Sequence, residues 1–184
     1  MRVLGIDPGL TRCGLGVIDA SGGRAVSLVE VSVARSSVDL PIAERLGQIH
    51  DAVDAIFDAL RPDAVALERV FAQHNVRTVM GTAQISGVVM VQARTRGVPV
   101  SLYTPSEVKA AVTGQGRATK QQVAFMVAKV LGLAEPPQPA DAADALAIAI
   151  AHAWRSGTAL PGGASATPAQ QRWAQAEQAA RRRG

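Results

Sequence analysis

The chain has 184 residues, 48% apolar and 18% charged, enough for one domain with a proper core and too few for two large lobes. Cys13 is the single cysteine, which excludes a disulfide framework and a thiolate metal site. No run reaches ~18 uninterrupted apolar residues, and the start "MRVLGIDPG" lacks a signal-peptide layout, so a cytoplasmic protein without a membrane partner is expected.

The net charge of +4 is modest, but its distribution is uneven. Ser36 to Glu68 carries seven acids and two arginines, whereas Arg69 to Ala134 carries eight basic residues and one acid, Glu107. Such segregation suits a protein with one positive face for nucleic acid; charges scattered around the surface after folding are the alternative.

Residues 2–7 and 12–19 read as a hairpin, with Leu15 and Val17 on one face and glycines opposite. Residues 25–34 alternate as a third strand. "PIAERLGQIHDAVDAIFDAL" places Ile42, Leu46, Ile49, Val53, Ile56 and Leu60 at helical spacing and stops at Arg61-Pro62. "DAVALERVF" is a short strand buried on both faces, as parallel strands are. Residues 75–96 predict a long helix with little polar face, buried either at the centre of a monomer or between the sheet and a second subunit. "VPVSLYTP" is a fifth strand and "SEVKAAV" a short helix; the basic loop "TGQGRATK" precedes a helix at Gln121–Leu131. After the proline-rich "EPPQPA", "DAADALAIAIAHAWR" forms the last strong helix. Residues 1–156 thus read as one domain and 157–184 as a flexible basic tail. Three antiparallel strands followed by alternating helices and strands predict a mixed five-stranded α/β sheet flanked by helices.

Four acids stand out. Asp7 ends the first strand, kept extended by Pro8, and either serves the Pro8-Gly9 turn or does chemistry. Glu68 ends "AVAL" in the same way; on parallel neighbouring strands the two lie roughly 5 Å apart. Asp141 and Asp144 are one helical turn apart on one face, at a helix start where negative charge is tolerated. Clustered carboxylates repel, so at least one protonates unless a cation intervenes. Hard divalent Mg²⁺ suits such oxygens. Two ions about 4 Å apart can activate water and stabilise the leaving oxygen of a phosphodiester, with Mn²⁺ as a substitute.

The ordered motifs "GIDPGLTRCGLGVI", "ALERVF", "GTAQISGVV", "VTGQGRATKQQV" and "ADAADALAIAIAH" resemble those of RuvC-type Holliday junction resolvases, members of the ribonuclease H-like superfamily. The resemblance runs from about Arg2 to Trp154. It implies a ribonuclease H-like sheet and catalytic, metal-binding carboxylates at Asp7, Glu68, Asp141 and Asp144. It also implies a homodimer that nicks two opposed strands of four-way junction DNA symmetrically, leaving 5′-phosphate and 3′-hydroxyl ends. A branch-migration motor complex of the RuvA and RuvB type is the implied partner.

For DNA contact, Phe71 is set to stack on an unpaired base or to cover the sheet, and its match to the family's base-contacting phenylalanine favours stacking. Lys109 and Lys120 match functional basic positions of the family. Arg117 is inferred from the glycine loop, Arg77 is a phosphate candidate, and Arg69 stands where relatives often carry an uncharged polar residue. His74 reads as a loop residue and His152 as a packing residue. An actin-like ATPase or sugar kinase shares the first motif but needs two lobes; a non-catalytic junction binder has no use for four acids. An RNA–DNA hybrid nuclease shares the metal chemistry and differs only in the specific motifs and the dimer.

Overall fold

The computed structural model describes residues 1–69 and 76–156. Five strands, β1 (Arg2–Asp7), β2 (Arg12–Ala20), β3 (Val26–Arg35), β4 (Ala64–Glu68) and β5 (Val100–Tyr103), form one sheet in the order β3-β2-β1-β4-β5. The first three are antiparallel; β4 runs parallel to β1, and β5 parallel to β4. The helices are α1 (Ile42–Leu60), α2 (Val76–Thr95), α3 (Pro105–Thr113), α4 (Lys120–Leu131) and α5 (Ala140–Ser156). The mixed sheet expected from the sequence is therefore the observed one. Phe71, His74 and the segment 157–184 lie outside the described residues.

Strand alternation divides the core in two. Leu4, Ile6, Leu15, Val17, Val65 and Leu67 pack with α1 and α2 through Ile49, Val53, Ile85 and Val89. Val3, Ile18 and Ala66 face α3, α4 and α5. Gly5, Gly14 and Gly16 occupy this second face, where α5 lies almost on the backbone. A Cβ on Gly5 would stand 2.2 Å from the Ala145 carbonyl oxygen and 2.6 Å from the Ala149 nitrogen. A Cβ on Gly14 would stand 2.1 Å from the Asp141 carbonyl oxygen. The alanine-rich stripe of α5 and the glycines of the hairpin are thus one packing device.

Local sequence sets the element ends. Arg61 closes α1 in the left-handed region (φ 46°), and Pro62 then prevents the helix from continuing. Thr104 and Thr119 begin α3 and α4 with reciprocal capping boxes to Glu107 and Gln122. The second box moves Lys120 from the expected loop to the first position of a helix. β4 ends at Glu68 rather than Phe71, and the Arg69 N–H still donates to the Tyr103 carbonyl at 2.7 Å.

Helix α2 is not enclosed on all sides. Ile85, Val89 and Ala93 are buried, but Met80 and Val91 are 55% and 67% exposed. With Ala83, Gly87 and Met90 they form an exposed stripe at helical spacing. The monomer-core reading of this helix is therefore corrected. Cys13 is buried, its thiol pushed up to about 12 chiefly by desolvation, consistent with a small packing residue. No helix among the described residues is long and apolar enough to cross a membrane.

Candidate active site

Ile6 lies opposite Leu67 in the parallel β1–β4 pair, so the next residue of each strand is an acid. By alternation Asp7 follows Val3 and Gly5, and Glu68 follows Ala66, onto the face covered by α5. Asp144, in the first turns of α5, meets them there. The three acids line a cleft of about 850 Å³ together with Arg69, Lys109 and Lys120. Val108, Ala147 and Ile148 also line it, which limits water around the charges.

Desolvation, then Glu68 and Asp144, push the Asp7 carboxyl up to about 7, with Lys120 opposing. Glu68 is raised by desolvation and by Asp144, while Lys120 and a hydrogen bond with Asp7 act in the other direction. Lys120 Nζ donates to Asp144 Oδ2 at 2.6 Å, and this bond is the main reason the ammonium is held above its ordinary range. The clustered acids thus favour a cation among them, and Lys120 supplies one.

Among the described residues no three His, Cys, Asp or Glu side chains are already arranged to hold a metal ion. Lys120 engages Asp144, and Asp141 is turned aside. Asp141 lines an adjoining groove of about 1130 Å³, where Arg12 Nε reaches its Oδ2 at 3.0 Å; it is the weakest of the charges acting on Asp7. The donor chemistry still fits a hard divalent ion: Asp7, Glu68 and Asp144 offer carboxylate oxygens in one partly desolvated cleft, where Glu68 and Asp144 disfavour ionisation of Asp7 and Asp144 disfavours that of Glu68.

Of the expected DNA-contact residues, Arg69, Lys109 and Lys120 line the cleft. Arg117 is exposed on the α3–α4 loop and is not part of its lining. Arg77 falls in the first turn of α2, and Phe71 lies outside the described residues. His152 is buried, with Nδ1 2.9 Å from the Tyr103 hydroxyl, in keeping with packing. Arg12 was absent from the sequence-derived candidates. The only local signal was a charged residue between a tight turn and the apolar run "CGLGVI".

Comparisons with known proteins cover nearly the whole of the described chain. The family model for crossover junction endodeoxyribonuclease RuvC matches residues 3–152. The RuvC protein of Leifsonia xyli subsp. xyli is 55% identical over 197 aligned positions, 99% of this chain and 94% of its own. That of Parafrankia sp. is 62% identical over 170, covering 92% and 95%. Thermus thermophilus RuvC, solved in complex with a Holliday junction substrate, is 42% identical with a TM-score of 0.82, covering 86% of this chain and 96% of that one. The yeast mitochondrial resolvase Ydc2, at 13% identity and a TM-score of 0.61, shares the fold. A mixed sheet with strand-end acids thus defines a nuclease of the resolvase type, and the chain belongs to the RuvC family of crossover junction endodeoxyribonucleases.

Proposed function

We propose that this chain resolves four-way DNA junctions as a homodimer, each protomer nicking one of two opposed strands in a reaction that requires a divalent cation. The observation that carries the reading is the convergence of Asp7, Glu68 and Asp144 with Lys109 and Lys120 in one cleft. Acids so placed repel a DNA phosphate unless a cation intervenes, and lysines beside them serve an anionic substrate.

Asp7, Glu68 and Asp144 would hold the ion, Mg²⁺ by preference and two per site, with Asp141 completing the set and Mn²⁺ as a substitute. A divalent ion held by these carboxylates would supply Lewis acidity, lowering the pKa of a water and offsetting charge on the leaving oxygen. Around it Asp7 and Glu68, fixed by paired strands, set the direction from which the nucleophile approaches. Lys120 neutralises the scissile phosphate, and Lys109 steadies its neighbour. Water attacks phosphorus and the bond to O3′ breaks, leaving a 5′-phosphate and a 3′-hydroxyl. Phe71 stacks on an unpaired base at the crossover, while Arg69, Arg77 and Arg117 take phosphates.

Two nicks need two sites, and a two-fold dimer matches the pseudo-symmetry of a junction. The exposed stripe of Met80, Ala83, Gly87, Met90 and Val91 on α2 supports that pairing, its small residues permitting close approach. A branch-migration motor complex of the RuvA and RuvB type is the partner assembly on the DNA, and the cytoplasm is the compartment.

The test is a substrate panel of synthetic four-way junction, matched linear duplex and RNA–DNA hybrid, each with Mg²⁺ and with chelator. Paired Mg²⁺-dependent nicks on opposed junction strands support the reading. Hybrid cleavage without junction preference overturns the substrate while leaving the chemistry.

A further inference from the structure

Strand β2 grips Asp141 at two points. Gly14 lies directly beneath its main chain, and Arg12, two residues earlier on the same strand, takes its carboxylate at 3.0 Å. The Asp141 side chain is only 20% exposed, whereas Arg12 is 57% exposed, so the arginine is the partner free to leave. Together they hold Asp141 on the groove side of the α5 N-terminus, apart from the cleft that Asp7, Glu68 and Asp144 share.

The groove itself presents cationic and hydroxyl groups. Arg45 lines it beside Arg12, with its Nη2 donating to Thr11 Oγ1 at 2.9 Å and its Nε to Ser36 Oγ at 3.1 Å. Thr78 and Thr82 of α2 line both the groove and the acid cleft. The cleft and the groove therefore adjoin along these two threonines, close enough for one polyanion to meet both. Phosphate is the ligand chemistry that two guanidinium groups in such a channel recognise.

We infer that Arg12 is a latch on Asp141, holding this carboxylate away from the metal cleft until a DNA phosphate entering the groove draws the guanidinium off and lets Asp141 turn inward. Junction binding and completion of the metal site are thereby coupled through one ion pair, a form of reciprocal linkage. Arg12 is a positioning residue in this scheme: it acts on the site through Asp141. The inference rests on the reading of the four acids as the metal site.

The test uses the full chain with Arg12→Ala, Arg12→Lys and Asp7→Asn, and Arg12→Gln in case the alanine variant fails to fold. Titration of DNA-free protein with MnCl₂ by calorimetry should show Arg12→Ala binding about three- to fivefold more tightly than wild type, the scale of a half-exposed ion pair. Arg12→Lys should behave as wild type. In EDTA, the salt dependence of junction binding should fall by about one unit of slope per protomer in Arg12→Ala. Unchanged or weaker manganese binding in Arg12→Ala and Arg12→Gln overturns the latch, whatever the salt slope does. A changed manganese affinity with an unchanged slope overturns it too, because phosphate then does not release the arginine. Wild-type manganese binding by Asp7→Asn overturns the metal-site reading, and the latch with it.

Discussion

Asp7 and Glu68 follow a matched pair of residues, Ile6 and Leu67, on adjacent parallel strands, and both leave the sheet on the face that α5 covers. Their closeness is a property of backbone register, so it exists before any ligand arrives. The cost of that arrangement appears as two carboxyls displaced toward their neutral forms.

The first prediction concerns stability without metal. Burial and neighbouring acids raise Asp7 in the folded chain to about 7, above its ordinary value of 3.8. Between those values the folded state binds more protons than the unfolded one, so stability falls as pH rises from about 4 through 7. In EDTA, Asp7→Asn should raise Tm at pH 8 by about 2–4 °C, the equivalent of ~1 kcal/mol in a chain of this size. The gain should vanish near pH 4. Thermal melts across that range check it, and a lower Tm for the variant at pH 8 contradicts it.

Metal binding should follow the same titration. Protonated Asp7 is a poor ligand, so Mg²⁺ affinity should drop by about tenfold for each pH unit below 7 while Asp7 is the dominant proton competitor. Calorimetric titrations at pH 6, 7 and 8 give the slope.

Lys120 meets Asp144 at 2.6 Å, and in the proposed reaction it neutralises the scissile phosphate. Lys120→Ala should lower the single-turnover nicking rate about 100-fold, the usual effect of losing one donor to developing charge. Junction affinity, measured in EDTA, should change by less than about tenfold.

Packing of α5 on the hairpin gives a stability test. In Gly5→Ala the new Cβ meets main-chain atoms of Ala145 and Ala149, which cannot swing aside. Urea denaturation should show a loss of about 3 kcal/mol. Gly47, in α1, has open space around it, so Gly47→Ala should instead add up to about 1 kcal/mol from helix propensity.

Much of the fold was legible because its signals are local. Asp7-Pro8-Gly9 announces a strand end and a turn, Arg61-Pro62 a helix stop, and the Ala-rich period of 140–156 a closely packed helix. The convergence of Asp7, Glu68 and Asp144 could be anticipated from strand ends and helical spacing. Less visible was the splitting of Asp141 from Asp144. One turn of spacing puts both on one face, but Arg12 lies 129 positions away from Asp141 along the chain and only folding brings it close. The helical start at Lys120 depended on a reciprocal Thr119–Gln122 cap, a pattern hidden inside what reads as a glycine loop. The exposed side of α2 was likewise undetermined, since an all-apolar helix looks the same whether a sheet or a second copy covers it.

Asp7 separates catalysis from DNA binding. Wild type and Asp7→Asn should be compared on one synthetic four-way junction, with nicking read in Mg²⁺ and affinity in EDTA on the same preparations. Junction affinity should stay within about threefold of wild type and the nicking rate should fall by at least ~100-fold, as expected when several kcal/mol of metal-derived stabilisation is lost. Wild-type nicking by Asp7→Asn, or loss of binding and cleavage together, contradicts this expectation.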